Sequence, residues 1–145
     1  MPYAILRFQK RKAGGVAACE RHNERKKEAY KSNPDIDMER SKNNYHLVKP
    51  PRYTYKKEIN HMVAEAGCRT RKDSVMMVET LITASPEFMN SLPPEEQKAY
   101  FTMALDFISE RVGEKNILSA VVHMDEKTPR LAPPSSMTAP DFVML

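Results

Sequence analysis

The chain has 145 residues, 41% hydrophobic and 29% charged, a soluble globular composition for one domain that buries about two-thirds of its unfolded surface. No apolar run approaches the ~18 residues of a membrane-spanning helix. The N-terminus, MPYAILRFQKRK, has its apolar residues before its charges, the wrong order for a secretory signal. Cys19 and Cys68 lack metal-type spacing and read as free thiols in a reducing cytoplasm. The net charge of +4 hides a lopsided distribution. Residues 1–72 carry 18 Lys/Arg against 8 Asp/Glu, giving +10, and residues 73–145 carry 5 against 11, giving −6. A first half this basic is a candidate nucleic-acid surface, because each cation laid on a phosphate releases a counterion.

Tyr3 to Gln9 alternates as a first strand, with Ala4, Leu6 and Phe8 toward a core and Arg7 and Gln9 on the other face. Lys10, Arg11 and Lys12 run into Gly14-Gly15, which reads as a turn. From Val16 to about Lys31 the pattern is helical but almost wholly polar, so core packing is not its evident purpose. Cys19, His22 and Lys26 share one stripe of that helix, and Arg21 and Arg25 a neighbouring one. A histidine among arginines suits chemistry on a phosphate, although a lone surface histidine on a solvated helix is the commoner case. Ser32-Asn33-Pro34-Asp35 ends the helix.

Asn43 to Val48 reads as a short second strand. Tyr53 to Ala66 reads as an amphipathic helix with Ile59, Met62, Val63 and Ala66 inward and Gly67 as its C-terminal cap. The basic loop Arg69-Thr70-Arg71-Lys72 precedes the most apolar strand, Ser74 to Thr83. A helical turn starts at Ser85-Pro86-Glu87. A longer helix follows Pro93-Pro94-Glu95-Glu96, with Phe101, Ala104, Leu105, Ile108 and Val112 as its buried stripe. The expected class is α+β, with an antiparallel or mixed sheet and helices packed on one face. No Gly-rich phosphate loop follows any strand.

The last strand, Asn116 to Met124, delivers His123-Met124-Asp125-Glu126-Lys127-Thr128-Pro129. Alternation puts Leu118, Ala120, Val122 and Met124 on one face, and Ser119, Val121, His123 and Asp125 on the other. An imidazole and two carboxylates at this spacing can hold a divalent cation, and they are also common residues of a surface turn.

Taken together, Y-A-I-L-R-F-Q-K, H-N-E-R (His22 to Arg25), N-Y (Asn44, Tyr45), R-K-D (Arg71 to Asp73) and H-M-D-E-K-T-P resemble the N-terminal domain of MobV-type (Pre/Mob) plasmid recombination and mobilisation relaxases. The resemblance implies an HUH-type fold and a cytoplasmic enzyme of conjugation. Such an enzyme nicks one strand at an origin of transfer and stays attached to the 5′ phosphate. It implies His22 as nucleophile, Arg25 near the phosphate, and Tyr45 as a supporting residue or rival nucleophile. It also implies a Mn²⁺ or Mg²⁺ site using His123 and Glu126, with Asp125 as a further donor. Arg7, Lys10, Lys12, Arg69, Arg71 and Lys72 are the candidate DNA contacts. The family pattern continues with two histidines where this chain has Arg130 and Ala132. Residues 1–129 thus read as an incomplete relaxase domain, and 130–145 as an irregular tail in which the last metal-ligand strand is missing or altered. A change of reading frame or a gene fragment would leave such a tail. A DNA-binding remnant without catalysis is the alternative.

Overall fold

Val75–Ala84 (β3) is apolar on both faces and becomes the strand on which the sheet is built. The computed structural model describes residues 3–25 and 40–136. In chain order the other elements are β1 (Ala4–Lys12), α1 (Ala13–Asn23), β2 (Tyr45–Val48), α2 (Tyr55–Ala66), α3 (Pro86–Ser91), α4 (Pro94–Val112), β4 (Ala120–His123), β5 (Arg130–Ala132) and β6 (Ser135–Ser136). All pairings are antiparallel in the order β1-β3-β5-β4-β2, with β6 also against β3.

Helices cover both faces of this sheet, not one as expected. Odd-numbered Met77, joined by Met76 at a β-bulge opposite Arg11 and Lys12, packs with Val16 and Cys19 of α1 and with Tyr55, Ile59 and Val63 of α2. Even-numbered Ile82 and Ala84 pack with Met89 of α3 and with Phe101, Leu105, Ile108 and Val112 of α4. Alternation along a strand puts these two sets on opposite faces. A strand that is apolar on both faces needs cover on both.

Local signals set most element boundaries. Thr54 caps α2 by accepting from the Lys57 amide at 3.2 Å, and Gly67 closes it at φ 68, a left-handed conformation that glycine adopts without steric cost. Pro94 opens α4 with Glu95 and Glu96 in its first turn, where the helix dipole favours acids.

Tertiary position overrode other local signals. Leu6 and Phe8 are 47% and 42% exposed and Ala4 is exposed too, because β1 is an edge strand and the α4 stripe covers β2 to β5 instead. Gly14 and Gly15 lie in the first turn of α1, which leaves β1 without a loop. That helix does pack on the core, through Val16 and Cys19. Its expected run to Lys31 is cut short, since α1 ends at Asn23 with Glu24 and Arg25 in a turn; Lys26 and the break at Ser32 to Asp35 fall outside the described residues. Ala66 is exposed, and Leu118, which precedes β4, joins the α1–α2 cluster instead of the α4 one.

The largest correction concerns residues 130–136. Arg130–Ala132 is not irregular chain but a strand inserted between β3 and β4, with Leu131 opposite both Ile82 and Val122. Leu131 is fully buried. Three residues are too few to display alternation in a sequence, but one buried leucine flanked by two sheet neighbours suffices in the fold. β4 therefore has no open edge.

Candidate active site

Three short segments meet on the α1 face of the sheet: the end of α1, the turn after β4, and Asn44 just before β2. The peptide leaves α1 through Arg25, whose φ of 53° is the sole positive value at a non-glycine residue among the described residues. A non-glycine residue there carries local strain and persists only when held. The guanidinium supplies that hold. Nε donates to Asp125 Oδ2 at 2.6 Å, Nη2 to Asp125 Oδ1 at 2.9 Å and to Glu126 Oε2 at 3.5 Å, and Nη1 to the His22 carbonyl at 2.5 Å. The Arg25 and Asp125 side chains are 7% and 0% exposed. A buried fork-on-fork pair of this kind is geometrically specific. Asn44 completes the junction, donating to Asp125 Oδ2 at 3.2 Å and accepting from the Met124 amide at 2.7 Å.

Glu24 is a second anchor. It accepts from Tyr55 Oη and from Ser119 Oγ (2.9 Å) and lies 2.6 Å from His46 Nε2. Glu20 accepts from the Tyr55 amide at 2.7 Å. The end of α1 is thus tied to α2, β2 and β4 by carboxylates that a sequence reading had no reason to separate from solvated acids.

Within this frame the His22 and His123 rings stand 6.3 Å apart, edge to face. His123 Nε2 bonds the Asn23 carbonyl at 2.8 Å. A carbonyl only accepts, so Nε2 carries the hydrogen, and Nδ1 faces Glu126 Oε2 at 3.8 Å. Burial and then the Arg25 charge push His123 down to about 4. The same two causes, in the same order, hold His22 below the ordinary histidine range. Both imidazoles are therefore neutral at pH 7.

The two rings open onto a groove of about 600 Å³ whose lining includes Arg7, Arg11, His22, His123, Glu126 and Arg130. Arg11 is paired with Glu79, which also accepts from the buried Cys19 thiol at 2.8 Å. Arg130 Nη1 is 3.9 Å from Glu126 Oε1. Its Nε is buried without a hydrogen-bond partner among the described residues.

The fold thus brings His22, Arg25, His123, Asp125 and Glu126 together and adds Arg7 at the groove. Tyr45 is not brought there. It sits opposite Val122 and packs against the α4 cluster on the other face, where burial pushes its phenol up. Lys10 and Lys12 are exposed on β1, and the exposed loop Arg69 to Lys72 enters β3 at Val75, opposite Lys12. Glu24 and Asn44 belong to the H-N-E-R and N-Y motifs and Arg130 stands at an expected ligand position, but none of the three is among the expected site residues; their partners Ser119, Met124 and His123 are supplied by the fold.

Among the described residues the donors do not complete a site for a divalent cation. Both Asp125 oxygens are engaged by Arg25 and Asn44, which leaves His123 Nδ1 and Glu126 as donors. Arg130 and Ala132 pair with His123 and Val121 across the strands, so they flank the place where further ligands would have to stand. A guanidinium cannot deprotonate to bind metal, and alanine has no donor. Among the described residues, no three His, Cys, Asp or Glu side chains form a group that could hold an ion.

An antiparallel α+β sheet carrying two imidazoles beside an arginine-lined groove defines the class of this domain. Residues 1–135 match the plasmid recombination enzyme family (Mob_Pre), and the chain belongs to it. It is 42% identical over 130 residues to a plasmid recombination enzyme of Bacillus thuringiensis, covering 89% of this chain and 29% of that protein. It is 38% identical over 134 residues to a type 2 plasmid recombination enzyme of Staphylococcus aureus, covering 90% and 32%. The chain thus spans about a third of the length of these relatives. Among solved structures it is similar to the Mn-bound MobM relaxase domain (MOBV; Mob_Pre) in complex with plasmid pMV158 oriT DNA. One such complex aligns at a TM-score of 0.84 and 37% identity over 92% of this chain and 69% of that one. Another aligns at 0.82 and 32% over 97% and 74%. No helix among the described residues is long and apolar enough to cross a membrane.

Proposed function

We propose that this chain is the origin-binding and strand-transfer part of a plasmid mobilisation relaxase, acting on plasmid DNA in the cytoplasm. The observation that carries the proposal is a neutral, half-buried His22 beside His123 at an arginine-lined groove. His22 is the nucleophile. Its unprotonated ring nitrogen attacks phosphorus, the bond from phosphorus to the 3′ oxygen breaks, and that oxygen takes up a proton as a 3′ hydroxyl. The imidazole sheds its remaining N–H proton and stays bound to the 5′ phosphate. Arg25 is a positioning residue, since its donors are spent on Asp125, Glu126 and the His22 carbonyl. The functional unit runs through β6, not to Pro129, because Leu131 completes the sheet.

MobM is Mn-bound. In this chain, among the described residues, His123 and Glu126 are the two side chains left for Mn²⁺ or Mg²⁺, two short of the set that the family resemblance implies. This shortfall favours the second reading, a domain that holds DNA without cutting it.

The two readings part on denaturing gels after incubation with labelled origin-of-transfer single strand. Transfer predicts a covalent adduct that His22→Ala abolishes and Tyr45→Phe retains. The yield should persist through pH 6.5, since His22 is held neutral below its ordinary range. Binding without any adduct establishes the second reading, and an adduct lost in Tyr45→Phe alone reverses the assignment.

A further inference from the structure

The disagreement between the metal the relatives hold and the residues present here has a positive side. Where further ligands would stand, this chain has a fixed cation. We propose that Arg130 binds a backbone phosphate of single-stranded DNA directly, so that this groove recognises its ligand without a divalent metal. The inference rests on the DNA-binding reading above and goes beyond it by naming the contact and its independence of metal.

Four observations support it. Arg130 lies directly across from His123 in the β4–β5 pairing, on the face that carries His22. Its side chain is 38% exposed, and it lines the same groove as His22 and Arg7. Its closest acidic neighbour, Glu126 Oε1, is 3.9 Å from Nη1, at the outer limit of an ion pair. Glu126 is also within hydrogen-bond reach of Arg25, so its charge is shared. Finally, Nε is buried with no hydrogen-bond partner among the described residues, so the exposed part of the side chain lies elsewhere, and a phosphate oxygen there suits the guanidinium fork. The two other groove arginines differ in kind: Arg11 is neutralised by Glu79, whereas Arg7 is exposed on β1.

A guanidinium keeps its charge at every accessible pH and needs no loading. It does not offer a vacant coordination position, and so it can grip a phosphodiester without acting as a metal does. The same geometry states what would convert it. Ala132 and Arg130 occupy alternate positions of β5 on the His123 face, so histidines at both would stand beside Nδ1 of His123.

The test is fluorescence anisotropy of the 145-residue chain with a labelled single-stranded oligonucleotide, in EDTA and in Mn²⁺, over a salt series. The dissociation constant is expected to agree within about twofold between the two buffers. R130Q should weaken binding about tenfold, the scale of one hydrogen bond to a charged group, and lower the salt slope by about 0.7, the single-strand value per phosphate. R130K should keep the slope. Thermal melts of each variant separate lost binding from lost folding. R130H/A132H should acquire Mn²⁺ binding by calorimetry where the parent chain has little. Parent binding that requires Mn²⁺, or a folded R130Q that binds like the parent, overturns the inference and leaves the DNA-binding reading intact. No binding by the parent in either buffer overturns that reading itself.

Discussion

The two faces of the sheet are held by different physics. On the α4 face, Phe101, Leu105, Ile108 and Val112 meet Ile82, Ala120, Val122 and Leu131, nearly all of it apolar. On the α1 face an apolar cluster around Tyr55, Ile59 and Met77 gives way, toward β4, to buried Glu20, Asn23, His123, Asp125 and Glu126. Packing on the first face tolerates change in proportion to volume. The second depends on charges that are cheap only while every partner is present. The apolar side that stabilises the domain and the side that carries the histidine groove are thus separated by one layer of backbone.

The largest effects should expose that difference. Phe101→Ala and Arg25→Ala should each cost about 3–5 kcal/mol in urea denaturation, one by opening a cavity and one by stranding the Asp125 charge. Their repairs differ. Replacing both charges, as Arg25→Met with Asp125→Leu, should recover at least half of the Arg25→Ala loss, because a buried ion pair rarely outperforms apolar residues of similar volume. A cost below about 1 kcal/mol for Arg25→Ala would mean that the pair is solvated and the contrast wrong.

A middle-sized effect concerns binding alone. Changing Arg69, Arg71 and Lys72 together to alanine should leave stability within about 0.5 kcal/mol, as for exposed sites away from special features. It should flatten the salt dependence of origin-duplex binding by up to about three units. An unchanged slope would confine the interface to the groove and to β1.

The smallest effect is chemical and separates a thiol of the α1 face from one outside it. Iodoacetamide should modify exposed Cys68 in the native chain and spare Cys19 until denaturant is added. Burial, and then the Glu79 carboxylate, push the Cys19 thiol far up, and the thiolate is the reactive form. Equal labelling by mass spectrometry would show that α1 opens readily.

The comparison of halves by charge also looks different in three dimensions. The basic first half spends Arg25 on Asp125 and Glu126 of the acidic second half, and Arg11 on Glu79. Part of the lopsided charge is internal pairing across the sheet. Among the described residues, the cations left at the surface include Arg7 at the groove, Lys12 and the 69–72 loop.

By itself the sequence determined the elements with strong local chemistry: β3 with its long apolar run, α2 between Thr54 and Gly67, and α4 after its proline and acids. It also determined the family, through motifs scattered over most of the chain. Tertiary structure decided what depends on distance along the chain. Only the sheet order makes β1 an edge and so exposes Leu6 and Phe8. Insertion between β3 and β4 is what turns Arg-Leu-Ala into a strand. Asn44, Glu24 and Arg130 become site residues because 80 to 100 residues of intervening chain return beside Asn44, Glu24 and Arg25, and because β5 closes beside His123. No local pattern encodes such returns, since contact between remote segments is set by which faces bury together and not by the spacing of neighbours.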